Sequence, residues 1–112
     1  MKIAIPVSGG SVSAHFGHCE KFAFVEVDPE RKTIMGTEWL TPPPHAPGVL
    51  PGWLAEQGAN VIITGGMGSR AQALFTESGI ETVLGASQGT PEQLAEQYLA
   101  GGLQAGENLC DH

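Results

Sequence analysis

Five prolines fall within the eleven residues from Thr41 to Pro51. Each one removes a backbone donor and fixes φ, so neither a helix interior nor a central strand runs through this stretch. Before it, only strand patterns appear. Lys2 to Val7 alternates at period two, with Ile3, Ile5 and Val7 on one face, and Ser8-Gly9-Gly10-Ser11 breaks the run. Phe22 to Val27 is aromatic and β-branched and reads as a second strand. Asp28-Pro29-Glu30-Arg31 is turn chemistry leading to a returning strand, Thr33 to Leu40, weakened by Gly36.

After the prolines, helices and strands alternate. Leu50, Trp53 and Leu54 space as a short helix face stopped at Gly58, and Val61-Ile62-Ile63 is a strand covered on both sides. Ser69 with Gln72 forms a capping-box pattern for a second helix that Gly79 terminates. Ile80 to Leu84 is a fifth strand. Thr90-Pro91-Glu92-Gln93 repeats the start signal with Pro at the first helical position, and Leu94, Ala95, Tyr98 and Leu99 stripe the last helix. Gly101-Gly102 ends it. The order βββαβαβα predicts an α/β fold of three layers with a mixed five-stranded sheet, matching a ribonuclease-H-like motif. At 112 residues the chain is read as one domain, residues 1–112, with 103–112 a C-terminal tail.

Charge and length exclude several partners. Twelve acidic against five basic residues give a net −7, and no Lys or Arg follows Arg70, so the basic footprint of a nucleic-acid binder is missing. No apolar run approaches the ~20 residues that span a bilayer, and Met1 to Val7 is too short for a signal peptide, so a cytoplasmic protein is expected. Nuclease chemistry needs converging carboxylates, yet Lys2 to Val7 carries no acid and the chain has two Asp in all. Gly66-x-Gly68-x-x-Ala71 sits where a strand meets a helix, and with Arg70 it could hold an anion. The acid of a dinucleotide site is missing further on, and the plainer reading is a tight turn with Arg70 solvated.

The densest donor cluster is His15-x-x-His18-Cys19. Cys110 and His112 stand at the chain end, and His45 lies in the proline-rich loop. Two thiols and several imidazoles suit borderline or soft metals, among them zinc, copper(I), iron–sulfur and molybdenum–sulfide species. The spacing is not a paired Cys-x-x-Cys knuckle, and the competing reading has these residues in ordinary loop and packing roles. Catalysis by Cys19 as a nucleophile ranks lower, since His18 beside it cannot orient against it in so short a loop.

His15-Phe16-Gly17, the Pro43 to Gly48 stretch, Val61 to Gly68, and Gly106 to His112 together resemble the dinitrogenase iron–molybdenum cofactor biosynthesis family, which includes nitrogenase accessory proteins of NifX type and the C-terminal domain of NifB type. The resemblance runs nearly end to end. It implies the ribonuclease-H-like fold and a non-enzymatic binder or carrier of an iron–sulfur or molybdenum-containing cluster or cofactor precursor. Similar proteins include the small orange proteins, which hold a molybdenum–copper sulfide cluster. By position, His15 matches the His-Phe-Gly motif, and His45, Cys110 and His112 match motifs of the shorter single-domain branch. His18 and Cys19 depart from the pattern, standing where many relatives have Arg and a small residue. The family's link to ParA/MinD-type ATPases implies such a partner, and a homodimer sharing ligands is left open. The alternative is a metal-free module that docks on that ATPase or on an oxidoreductase.

Overall fold

The computed structural model describes residues 1–12, 20–43, 49–86 and 89–101. The elements in chain order are β1 (Lys2–Ser8), β2 (Ser11–Val12), β3 (Lys21–Asp28), β4 (Thr33–Leu40), α1 (Val49–Glu56), β5 (Val61–Ile63), α2 (Ser69–Glu77), β6 (Glu81–Val83) and α3 (Pro91–Leu99). The main path of the sheet is β4-β3-β1-β5-β6. β3 is antiparallel to both β1 and β4, whereas β5 is parallel to β1 and β6 parallel to β5. The sheet is mixed, as expected.

The strand count corrects the sequence reading: the described residues form six strands, not five. Ser8-Gly9-Gly10-Ser11 does not simply break β1. Gly9 and Gly10 take φ of 63° and 85°, the pair of positive values a two-residue hairpin turn requires. The chain therefore folds back as β2, pairing Val7 with Val12 and Ser8 with Ser11. Room for it exists because β5 pairs β1 only at Ile3 and Ala4. The carbonyl of Val7 points toward β3, where it accepts the N–H of Glu20 at 2.9 Å. By strand alternation Pro6 faces the other way, between the β5 pairs at Ile3 and Ala4 and the β2 pairs at Val7 and Ser8. Among the described residues no strand is paired with Pro6 on that side, so its missing donor breaks no described ladder bond.

The β3–β4 hairpin follows the predicted turn. The Asp28 carboxylate accepts the N–H groups of Glu30 and Arg31 at 3.0 and 3.3 Å. Opposite the Glu26–Val27 step the register shifts, so Gly36 faces Glu26, Ile34 faces Val27, and Met35 is an extra residue without a partner across the ladder.

The strand alternation sorts the core into two sides. Ile3, Ile5 and Val7 join Ala23, Val25, Val61 and Ile63 against Leu94 and Ala95 of α3. Ala4, Phe22, Phe24 and Ile62 face Leu50 and Leu54 of α1 and Phe75 of α2. Trp53 packs edge-on against Phe22 and Phe24, with centroids 5.6 and 5.7 Å away. Three layers result, with α3 on one face and α1 and α2 on the other.

The helix starts divide the sequence readings. For α3 the capping box forms in full: Thr90 Oγ1 accepts the N–H of Gln93 at 3.2 Å, and Gln93 Oε1 accepts the N–H of Thr90 at 3.0 Å. For α2 it does not. The N-cap is Gly68, with no side-chain cap, and the Gln72 amide donates instead to the Met67 carbonyl at 3.3 Å. Because the extended Gly68 takes the N-cap, Ser69 is already the first helical residue and its hydroxyl is out of the capping position. No helix among the described residues is long and apolar enough to cross a membrane.

Candidate functional site at one end of the sheet

The topology gathers four connecting segments at one end of the sheet. Strands β1, β5 and β6 run parallel and finish there, while β3 begins there, since Val7 pairs with Lys21. β4 also finishes there, with Leu40 opposite Phe22. Residues 9–20, 41–48, 64–68 and 84–90 therefore all emerge at this end. In open α/β sheets this is where ligands bind, at the point where neighbouring strands lead away to opposite sides. Here that point is β1, whose chain continues to β3 on one side while β5 flanks it on the other.

Backbone and side-chain hydrogen bonds tie the feet of these segments to one another. Val12 donates to the Gly89 carbonyl at 3.0 Å, joining the first segment to the last. Gly85 and Ala86 donate to the carbonyls of Gly65 and Thr64 at 2.9 and 3.2 Å, carrying the β5–β6 pairing past the strand ends. Lys21 Nζ donates to Thr41 Oγ1 at 3.0 Å, tying the start of β3 to the foot of the proline-rich segment. The Glu20 carboxylate accepts the Gly9 N–H at 3.0 Å.

Of the sequence-predicted residues, Gly66, Gly68 and Arg70 fall within this described end. Gly66 is buried in the turn, and Gly68 and Arg70 are exposed at the start of α2. Gly68 has φ −69°, and a side chain there would meet nothing within 4 Å, so neither strain nor crowding demands glycine. Its bareness leaves open access to the first-turn N–H groups, which have no intrahelical acceptor. His15, His18 and Cys19 (in 13–19), His45 (in 44–48), and Cys110 and His112 (in 102–112) lie outside the described residues. Among the described residues, no three His, Cys, Asp or Glu side chains converge as a metal site would require.

The anchors of those segments are nevertheless defined. Residues 13–19 leave from Val12 and rejoin at Glu20, and 44–48 run from Pro43 to Val49, all at the loop end. The 102–112 segment leaves from the opposite end. Tyr98, near the close of α3, donates to the carboxylate of Glu81 at 2.5 Å, and Glu81 is the first residue of β6.

The acidic residues are unevenly spread between the two ends, with Glu92 in the first turn of α3 beside the last loop segment. Of the 12 acidic residues, Glu20 alone falls within the four loop segments. Glu26, Asp28, Glu30, Glu56, Glu77 and Glu81 cluster toward the far end, on the closing part of β3, the hairpin turn, the helix C-termini and the start of β6. Lys21 and Arg70 supply positive charge at the loop end. Sequence analysis singled out none of Glu20, Lys21 and Thr41. The near absence of acids from the loop segments was the available signal.

Fold and loop end together define a class: a small three-layer α/β protein whose connecting segments converge where its parallel strands finish. The family described as "Dinitrogenase iron-molybdenum cofactor" matches residues 1–101, and the chain belongs to that family. It is 33% identical over 109 residues to an uncharacterized protein of Methanocaldococcus jannaschii, covering 93% of this chain and 90% of that one. The crystal structure of PH0822 superposes with a TM-score of 0.87 at 28% identity, each chain covered at 100%. The apo form of the orange protein from Desulfovibrio gigas superposes with a TM-score of 0.77 at 25% identity, covering 96% of this chain and 93% of that one.

Proposed function

We propose that this protein is a non-enzymatic binder or carrier of a metal–sulfur cluster or cofactor precursor, iron–sulfur or molybdenum-containing, held as cargo at the loop end of a ribonuclease-H-like scaffold in the cytoplasm. One observation carries the reading. The segments bearing His15, His18, Cys19 and His45 start and finish at the sheet end where Lys21 and Arg70 supply positive charge and where Glu20 is the one acid within the loop segments, with Glu92 following in the first turn of α3.

A net charge of −7 opposes capture of an anionic cluster only if the charge is local. The seven residues of β1 separate the two ends by about 23 Å at ~3.3 Å per residue. That is more than twice the Debye length of about 8 Å at physiological salt, so the far-end carboxylates are largely screened. The donor set fits the cargo: thiolates and imidazoles ligate soft centres, and the bare first turn of α2 with Arg70 suits sulfide or oxyanion edges. Cys110 stands nine residues beyond Gly101. An extended chain of that length spans about 30 Å, sufficient to bring the second thiol from the far end to the loops. Direct ligation by Cys19 and Cys110 is the mode proposed, with a ParA/MinD-type ATPase as the partner for delivery.

Anaerobic reconstitution with iron and sulfide, and separately with copper and tetrathiomolybdate, tests this. Stoichiometric visible bands are expected in one of the two, lost in the Cys19→Ser, Cys110→Ser double variant while circular dichroism is unchanged. A protein that stays colourless under both conditions overturns the carrier reading and favours a metal-free docking module. Turnover on phosphodiesters or thioesters would overturn the non-enzymatic one.

A further inference from the structure

The outer rim of the sheet, β4 and the turn before it, carries side chains that the rest of the molecule does not use. Lys32 and Glu38 are both exposed, and neither side chain has a hydrogen-bond or ion-pair partner among the described residues. Lys32 holds φ at 56°, a left-handed value that no other described residue except glycine adopts. Glycine or asparagine would relieve that strain, and strained positions gather where a side chain has a task. Within one chain the two charges cannot meet. Six residues of extended strand separate them, about 20 Å at ~3.3 Å per residue. Beside Glu38 lies a groove of about 310 Å³ lined by Lys2, Phe24, Glu26, Gly36, Thr37 and Glu38. Its floor is open at Gly36, where an added Cβ would meet nothing within 4 Å. The Lys2 ammonium is committed elsewhere, over the Phe24 ring and donating to the Gln57 carbonyl at 2.8 Å. The α-amino group lies 3.7 Å from Glu26 and offsets that carboxylate. Glu38 is left unanswered.

The midpoint between Lys32 and Glu38 is Met35, the most exposed large apolar side chain described and one without a partner across the ladder. Arg31 and Trp39 stand symmetrically about the same residue. Trp39 is exposed, and so is Arg31, whose contact to Asp28 is long at 3.8 Å. The rim is therefore self-complementary. When two copies lie antiparallel, rim to rim, about a twofold axis at Met35, residues equally far from Met35 on either side face each other. Lys32 meets Glu38 and its groove, Arg31 meets the Trp39 ring as a cation on an aromatic face, and Met35 meets Met35. Each contact then occurs twice, as a twofold interface requires. From Glu30 to Leu40 the rim carries two cations and two anions, so the chain's net −7 is not concentrated where the copies touch. We infer that the β4 rim is the contact surface of a closed homodimer centred on Met35 and held in register by reciprocal Lys32–Glu38 pairs. Side chains make this contact, since the extra residue breaks the spacing that backbone pairing across the axis would need.

Sedimentation equilibrium of the full chain over a wide range of concentration tests this, independently of any cargo. Wild type should form a weak, reversible dimer, because exposed charge pairs contribute little each. Glu38→Lys and Lys32→Glu each turn two attractive pairs into repulsive ones, and each should weaken the dimer about tenfold. Glu38→Lys also reduces the net −7, so association governed by overall charge would tighten instead. A mixture of the two single variants should recover wild-type association, since every Lys then faces a Glu across the axis. The Lys32→Glu, Glu38→Lys double variant should recover it as well. Met35→Glu, which sets two carboxylates on the axis, should abolish the dimer with circular dichroism unchanged. A wild type that is monomeric throughout overturns the inference and leaves the rim to an unlike partner. A dimer indifferent to the single changes, one that tightens in Glu38→Lys, or a mixture that fails to recover overturns it too.

Discussion

Replacing Thr90 with Ala probes the best-defined local device in the fold. In the native protein Thr90 and Gln93 exchange two hydrogen bonds at the start of α3, and Pro91 occupies the first turn. Thr90→Ala leaves the Gln93 N–H without its side-chain acceptor, and losses of this kind cost about 1 kcal/mol. Among the described residues α3 is the one helix on its face of the sheet, and Leu94 and Ala95 are buried there, so fraying its first turn is not absorbed by a neighbour. With ~2.1 cal/mol/K of unfolding entropy per residue, 112 residues give about 0.24 kcal/mol/K, so the substitution should lower Tm by about 4 °C. Thermal melts followed by far-ultraviolet circular dichroism are sufficient. Thr90→Ser, which keeps the oxygen, should recover most of the loss. Because the Gly89 carbonyl holds Val12, exchange at the Val12 amide should also quicken in the Ala variant. A Thr90→Ala melt indistinguishable from wild type, or a Ser variant as unstable as Ala, would refute the capping argument.

Two further outcomes follow from the charges. Tyr98 has its pKa pushed up to about 12, chiefly by burial and then by its hydrogen bond to, and the negative charge of, Glu81. The folded state thus favours the protonated phenol. Its contribution to stability is present in full below the ordinary tyrosine pKa of about 10 and is lost as pH climbs through 12. The gap in urea midpoint between wild type and Tyr98→Phe should narrow across that window. Tyr98 is the chain's single tyrosine, so phenolate absorbance reports its titration directly, and a midpoint near 10 would contradict the contact. Lys21→Gln with Arg70→Gln should weaken uptake of tetrathiomolybdate with copper about tenfold at low salt and much less at high salt, measured by equilibrium dialysis. A loss independent of salt would show that the two cations act other than by charge.

What the sequence disclosed was local. Thr90-Pro91-x-Gln93 names its own hydrogen bonds, and Ile3, Ile5 and Val7 declare one buried face, because partner and pattern lie within a few residues. Asp28 likewise carries its turn with it. Ser69 with Gln72 shows the limit: the same signature formed no box, since the turn after β5 put the N-cap at Gly68 and made Ser69 the first helical residue. β2 was illegible because a two-residue strand has no periodicity, and its existence depends on β5 ending early along β1. The loop end was hidden for a related reason. Nothing near His15 in sequence says that Pro43, Gly66 and Gly89 will stand at the same edge of a sheet; strand direction and order decide that. Cys19 and Cys110 looked equivalent as donors, yet their segments are anchored at opposite ends of the molecule.

The unpaired Met35 on β4 has a bearing on how copies of this protein behave together. β4 is the long outer strand, and a regular outer strand offers a row of N–H and C=O groups to any passing chain. The extra residue breaks the spacing of that row and increases the local twist, so an incoming strand finds matching partners on one side of the break or the other but not across it. The opposite rim, β6, is three residues long and offers too little to hold a visitor. The open sheet is in this way kept from growing by accretion, even with Met35 and Trp39 turned to solvent at 70% and 47% exposure.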